Sequence, residues 1–497
     1  MVVLMNCVKI VYGLVWLVTL SGMILILESC SSKENDPQPP PPVTVKEIGK
    51  AQNWLTTGNK ASLLAKQTDV SITEHSQTTF PIITIDATTT LQEIEGFGAA
   101  LTGSAAYVIN QKMSQSQRQV LLQELFNPES GIGITALRLT IGSSDFSLTD
   151  FTYNDMPAGQ TDYPLANFSI AVEQTDLLPV LKSINTISPS LTIIASPWSP
   201  PAWMKTNDHL HGGSLKADAY SSYANYFLKY IQAMNGEGID IDAITIQNEP
   251  LHQASYPSMG MSAEEQKNFI KNNLGPLFQR AAVDTKIIIY DHNWDNTQYA
   301  ISILNDPAAN AYVAGSAFHA YGGDVSAMSV VRNAHPDKGL YFTEISGGEW
   351  ATDFSSNLQW NMANIFIGTT KNWSKTALLW NLALDENFGP QNNGCSDCRG
   401  VVTINSSTGA VTRNVEYYAI GHFSKFIRNG AHRVQSSTSA GIPNVDFVAF
   451  KNPDGSVVIV LSNTAAEPRT VTVRESQAQI SVSLPAESVA TITWTTP

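Results

Sequence analysis

Eight short apolar runs recur through the middle of the chain, each closing on a polar, aromatic or glycine cluster. They lie at 94–98 (IEGFG), 136–142 (ALRLTIG), 191–196 (LTIIAS), 241–247 (IDAITIQ), 286–291 (KIIIYD), 315–320 (GSAFHA), 339–344 (GLYFTE) and 376–381 (TALLWN). Runs this short and this apolar read as buried strands. Between them, 114–126, 217–234, 263–280 and 355–371 space their apolar residues as helices do. Strand and helix alternating eight times predict an α/β fold, a (β/α)8 TIM barrel. A doubly wound open sheet is the alternative, but it would gather the chemistry-bearing residues at one switch point. Here they follow nearly every strand.

After 426 the pattern shifts to alternation. Short strands are expected at 445–451, 456–461, 469–474, 480–484 and 489–494, with a turn signal at Asn452-Pro453-Asp454-Gly455. Residues 426–497 therefore predict a small antiparallel β-sandwich. Residues 46–90 read as strands too few to bury a face alone, clearest at 83–86 (ITID). They are expected to complete the sandwich, leaving 91–425 as the barrel.

Ahead of this lie Lys9, an uncharged apolar run over 10–27, and Leu27-Glu28-Ser29-Cys30. The pattern predicts a secretory signal over 1–29 ending in a lipobox, with Cys30 lipidated. Glu28 departs from the small or apolar residue usual there, and an uncleaved membrane anchor is the other reading. Residues 30–45, rich in proline, are expected to be an extended tether. The implied product is an exported lipoprotein of the outer membrane, cell surface or periplasm, held to the membrane by its lipid.

Composition narrows the partners. The 497 residues are 43% hydrophobic and 14% charged, as in ordinary globular proteins, and the net charge is −14. With no block of Lys or Arg, a nucleic-acid partner is excluded. Of four cysteines, Cys7 leaves with the signal and Cys30 carries lipid. Cys395 and Cys398 then read as a small disulfide in an oxidising compartment. A zinc site would need two further ligands, so no metal is expected.

Candidate chemistry sits where strands stop. Glu249 ends IDAITIQNEP and Glu344 ends GLYFTE, the fourth and seventh strands, nearly opposite in a barrel of eight. Two facing carboxyls suit glycosidase chemistry, one as proton donor and one as nucleophile. Glu249 in the first role must hold a proton, which calls for a pKa raised by burial or by a nearby negative charge. Glu344 must stay ionised, and Arg138, inside the second strand, is the cation to keep it so. Arg138 also fits a purely structural ion pair. Asn248 can donate to a sugar hydroxyl. Asp145, Trp198, Tyr321 and Trp380 stand at or beyond strand ends, where a sugar wants carboxylates beside aromatic plates. Each aromatic alone reads more readily as core than as a platform, and it is the recurrence of four such residues after four different strands that shifts the balance. His319, His292 and Asp291 complete a possible hydrogen-bonding wall.

At these residues the chain resembles glycoside hydrolase family 30, which includes glucosylceramidases and endo-β-1,6-glucanases. The resemblance rests on GFGAALTGSAA (96–106), LRLTIGSSDFS (137–147), SPWSPPAWMKTN (196–207), QNEP (247–250), DHNWD (291–295), TE (343–344), WNLALDENFGP (380–390) and YYAIGHFSKFIRNGAHR (417–433). It implies a barrel with a side sandwich from both chain ends, a retaining mechanism and no cofactor. It also implies Glu249 as acid/base, Glu344 as nucleophile, and Arg138, Asp145, Trp198, Asn248, Tyr321 and Trp380 as residues that contact the sugar or position the carboxyls. NNGCSDCRGVVTI (392–404) is similar to the β-1,6-glucanase branch. The leading expectation is an endo-β-1,6-glucanase. A glucosylceramidase-type β-glucosidase is the alternative among enzymes, and a catalytically silent glycan-binding lipoprotein the alternative from another class. Retention of both glutamates weighs against the last.

Overall fold

Strands buried on both faces cannot end in an open edge, and here they close on themselves. The computed structural model describes residues 45–439 and 441–495. The expected signal segment, Cys30 and all of the tether before Val45 lie outside the described residues. Among those described, eight parallel strands join in chain order: β1 (Gly96–Leu101), β2 (Ala136–Ile141), β3 (Thr192–Pro197), β4 (Ala243–Thr245), β5 (Lys286–Asn293), β6 (Val313–His319), β7 (Gly339–Glu344) and β8 (Ser374–Leu379). β8 pairs back onto β1, Thr376 opposite Gly96 and Leu379 opposite Ala99, and the TIM barrel is shut. Closure needs glycine at 98, since a Cβ there would stand 1.9 Å from the Ala136 carbonyl oxygen.

The barrel interior is layered. Ala136, Ile194, Ala243, Ile288, Ala317, Tyr341 and Leu378 form a buried apolar plug. Two residues further on lie Arg138, Ser196, Thr245, His319, Thr343 and Trp380, all buried. The period of two puts them on the same inner face, one layer nearer the C-terminal rim. The plug closes the barrel below them, and the polar chemistry gathers at one mouth.

Two register shifts add to that layer. Ala317 faces Tyr290 and Phe318 faces His292, so Asp291 is an extra residue in β5. Tyr290 and Asp291 carry left-handed φ of 72° and 63°, and the irregularity turns Asp291 inward where Tyr290 would have pointed. Likewise Phe318 faces Phe342 and His319 faces Glu344, skipping Thr343. Consecutive residues of β7 thereby both reach the site. β4 is shorter than the apolar run 241–247 suggests. Beyond Thr245 the backbone turns to its neighbours, Asn248 N–H donating to the Pro197 carbonyl (2.9 Å) and Glu249 N–H to that of Asp291 (3.0 Å).

The sandwich draws on both chain ends, with its own apolar core. Strand Glu47–Thr57 pairs with Ser488–Trp494, and Val70–Glu74 with Ala478–Leu484, both antiparallel. Strand Ile82–Glu93 runs antiparallel to His432–Thr438 but parallel to Arg469–Glu475, the one departure from an antiparallel arrangement among the described pairs of this sheet. Helix Val415–Ser424 is buried at all ten positions and lies against both bodies. Its Phe423 meets Phe97 of β1 at 5.1 Å and Phe450 of the sandwich at 6.0 Å between ring centroids. Among the described residues no helix is long and apolar enough to cross a membrane.

Candidate active site

Asp291 is the hub. Its Oδ2 accepts from Arg138 Nη2 (2.7 Å), Thr245 Oγ1 (2.7 Å) and Ser196 Oγ (3.1 Å), and its Oδ1 from Thr343 Oγ1 (2.7 Å). His319 Nε2 meets the same Oδ1 at 3.0 Å. Burial alone would raise the Asp291 pKa, but Arg138 and His319 hold it far below the usual carboxylate range. A permanently ionised carboxylate therefore anchors the floor of the mouth.

Arg138 rests on that anchor and is completely buried. It also donates to Asn248 Oδ1 (2.9 Å) and to Glu344 Oε2. Its guanidinium lies 4.9 Å from the Trp198 ring and 5.6 Å from that of Trp380, and the two indoles stack 5.0 Å apart. Gln247 Nε2 pins the Trp198 carbonyl at 2.6 Å. Trp198 is thus a buried backing for Arg138, the positioning side of the two roles expected of it. Removing one partner from such a buried ion pair costs about 3–5 kcal/mol.

The two glutamates meet across this frame. Oxygens of Glu249 and Glu344 and a ring nitrogen of His319 all lie within 4.8 Å of one another. Glu344 Oε1 accepts from Tyr321 Oη at 3.0 Å, and Glu249 Oε1 faces His319 Nδ1 at 3.0 Å. Glu249 holds φ at 45°, a left-handed conformation costly for a residue with a Cβ, as functional sites tolerate.

The electrostatics correct the expectation drawn from sequence. Burial pushes the Glu249 carboxyl up, but the His319 hydrogen bond and the charge of His319 and His292 outweigh it, and the net shift is downward. Glu344 goes the other way. Burial, helped by the charges of Glu249 and Asp291, raises it despite His319 and Arg138. Burial alone would lower His319, yet Glu344, Asp291 and Glu249 raise it to about 9. The resting proton sits on the imidazole, between the carboxyls of Glu249 and Asp291.

The spread of Glu249, His319 and Glu344 also matches a metal triad. The donor set does not fit one. Both His319 nitrogens already face carboxylates, and Arg138 already occupies Glu344 and Asp291. The chain supplies its own positive charge.

Above the glutamates opens a cavity of about 380 Å3, lined by Asp145, Tyr321 and Trp380 as expected, with His292. His252, Tyr256, Asn293 and Trp350 join them without having stood out in the sequence. Trp350 had a usable signal, an indole six residues after Glu344 in a glycine-rich loop. Ser196, Thr245 and Thr343 had one too, each two residues beyond a plug residue. Asp145 Oδ1 is buried with no protein partner, and burial with the nearby Glu344 and Glu249 raises its carboxyl well above the ordinary range. It is a ready partner for a hydroxyl. Cys395 and Cys398 form the expected disulfide and line the same rim. Their loop is tied down by Asn392 N–H on the Asp145 carbonyl (2.7 Å) and by Gly347-Gly348 pairing with Arg399 and Cys398.

Comparison with known proteins agrees with this geometry. The profile of the glycosyl hydrolase family 30 TIM-barrel domain matches residues 94–427, and that of the family 30 β-sandwich domain residues 430–492. The chain is 36% identical to an endo-1,6-β-D-glucanase of Neurospora crassa over 84% of its own length and 88% of that protein's. It is 30% identical to mouse lysosomal acid glucosylceramidase over 87% of each. The solved structure of an endo-β1,6-glucanase superposes with a TM-score of 0.85 at 35% identity, covering 90% of this chain and all of that one.

Proposed function

The chain belongs to glycoside hydrolase family 30 and is a glycosyl hydrolase, and from that premise we propose that it cleaves β-1,6-glucan internally with retention of configuration. One observation carries the mechanism: a carboxyl oxygen of Glu249 lies within 4.8 Å of one of Glu344. Retaining enzymes hold their carboxyls about 5–5.5 Å apart, whereas inverting ones need about 6.5–9.5 Å to admit a water.

In the first step Glu344 attacks the anomeric carbon and the bond to the leaving oxygen breaks. Glu249 gives that oxygen its proton. Water then attacks the glycosyl ester, returns its proton to Glu249 and frees Glu344. The lowered Glu249 pKa fits this sequence because His319 stores the proton 3.0 Å away. Arg138 and Tyr321 hold Glu344 in line for attack, and the Arg138 bond to Asn248 Oδ1 leaves that amide's N–H groups for the sugar. Asp145 and Trp380 bound the glucosyl ring.

The linkage rests on the relatives' activities and on the likeness of 392–404 to the β-1,6-glucanase branch. Likeness to the mouse enzyme keeps a glucosylceramidase reading in view. We also infer export as a lipoprotein on Cys30, which mass measurement of the mature N-terminus tests; any other first residue contradicts it. For the mechanism, Glu249→Gln and Glu344→Gln are each expected to lower turnover of β-1,6-glucan by about 10²–10⁴-fold or more. Near wild-type turnover in either variant refutes the assignment. For the substrate, wild-type protein is expected to release a ladder of oligosaccharides from β-1,6-glucan. Glucose released from glucosylceramide alone overturns that reading.

A further inference from the structure

A second cavity of about 720 Å3 adjoins the catalytic one and shares two of its walls, Tyr321 and Trp350. The double displacement makes no use of it. It lies between the segment that follows Glu344 and helix Phe354–Trp360.

Trp350 is the partition, 58% exposed. Its indole lies back across Gly348, where a Cβ would come 2.0 Å from the ring. At Gly347 a Cβ would stand 2.0 Å from Glu416 Oε1. The glycine pair three and four residues past Glu344 therefore lets an indole and a carboxylate close over the same short stretch of backbone. The crevice is floored by Asn357, Asn361 and Glu416, all buried. Arg399 fixes Glu416 with an Nη2 bond of 3.0 Å. On the far side stands Trp360, 42% exposed.

Apolar plates beside oriented amides and a carboxylate are what a sugar ring requires, with C–H groups on its faces and hydroxyls on its edge. A lipid chain would set hydrocarbon against a wall that also carries Ser346, Thr352 and the Asp353 carboxylate, which is unfavourable. We propose that this crevice is a further carbohydrate subsite, holding a glucosyl unit of the same polymer away from the bond that is cut, with Trp350 as the plate common to both cavities. The inference rests on the glucanase reading. It adds a reason for the enzyme to prefer long chains.

The test uses the purified wild-type protein, Trp360→Ala, and Ser356→Trp. The last fills the mouth of the crevice from an exposed position and removes none of its buried polar groups. Each is assayed on an aryl β-glucoside, which reaches only the catalytic cavity, and on a graded series of β-1,6-linked oligosaccharides. Both variants are expected to keep the aryl activity within about twofold while losing about tenfold in kcat/KM on the longer oligosaccharides. Unchanged kinetics at every length overturn the subsite. So does an equal loss on the aryl glucoside, which would make the effect one of folding or of the catalytic cavity. With glucosylceramide assayed alongside, a loss confined to that substrate gives the crevice to a lipid and overturns the subsite. A wild-type protein that cleaves the aryl glucoside but none of the oligosaccharides refutes the glucanase reading itself, and this inference with it.

Discussion

His319 stands with a carboxyl 3.0 Å from each ring nitrogen, and its charge lowers both catalytic glutamates. His319→Gln removes that charge, so both carboxyls should rise. In the wild type, ionisation of Glu344 sets the acid limb of kcat/KM, and loss of the proton that His319 holds for Glu249, at about pH 9, sets the basic limb. Without the imidazole the acid limb is expected to move to higher pH as the Glu344 carboxyl rises, and the basic limb to lower pH as the proton falls back on a carboxyl, so the bell narrows and its maximum drops. A profile that falls in height without narrowing makes His319 merely structural. Glu249 and Glu344 were legible in the sequence because polar residues at the ends of apolar runs stand out, and Arg138 because a charge inside such a run does. The central place of Asp291 was not, because it depends on a one-residue register shift that periodicity does not reveal. Nor was the direction of the carboxyl shifts, which His319 decides through contacts between β4, β5 and β6.

At the scale of elements, helix Val415–Ser424 ties the two bodies together, and its one buried imidazole does so by hydrogen bonds. His422 Nδ1 meets Thr491 Oγ1 at 2.9 Å, and its Nε2 meets Thr56 Oγ1 at 2.8 Å. Burial lowers its pKa to about 3. The unfolded chain, with His near 6.5, binds a proton that the folded one refuses between these values. The stabilisation is whole above pH 6.5 and is lost as pH falls toward 3, at about 1.4 kcal/mol per pH unit. Melting temperature should drop across that window, and His422→Leu should melt lower at pH 7 yet lose less on acidification. An identical acid slope in the variant contradicts this. All eight strands were readable as apolar runs. The true length of β4 was not, since Ile246 and Gln247 keep the run going past Thr245, where the regular pairing ends. The two-residue pairing of Gly347-Gly348 with Cys398-Arg399 is too short to leave any pattern.

Taken whole, the molecule brings its first and last described strands together, so neither of those strands is dispensable. Thr57 pairs with Ser488 and Gln52 with Thr493. A chain lacking residues 1–93 would expose the partner faces of strands Ser488–Trp494, Ala478–Leu484 and His432–Thr438. It is expected to be insoluble or to unfold non-cooperatively, whereas removal of residues 1–44 alone leaves every described pair intact. A soluble, cooperative 94–497 fragment contradicts this. That the ends combine was inferred from the sequence because too few strands lay at either end to bury a core. The parallel seam between Ile82–Glu93 and Arg469–Glu475 was not, since alternation carries no strand direction. The central claim concerns the pair at the barrel's mouth, with Glu344 as the group that bonds to sugar. Incubation with an activated 2-deoxy-2-fluoro-β-glucoside, followed by mass mapping of the labelled peptide, tests it most directly. The expected result is one fluoroglucosyl group on Glu344; a label on Glu249, or turnover that yields the inverted anomer with no label at all, contradicts it.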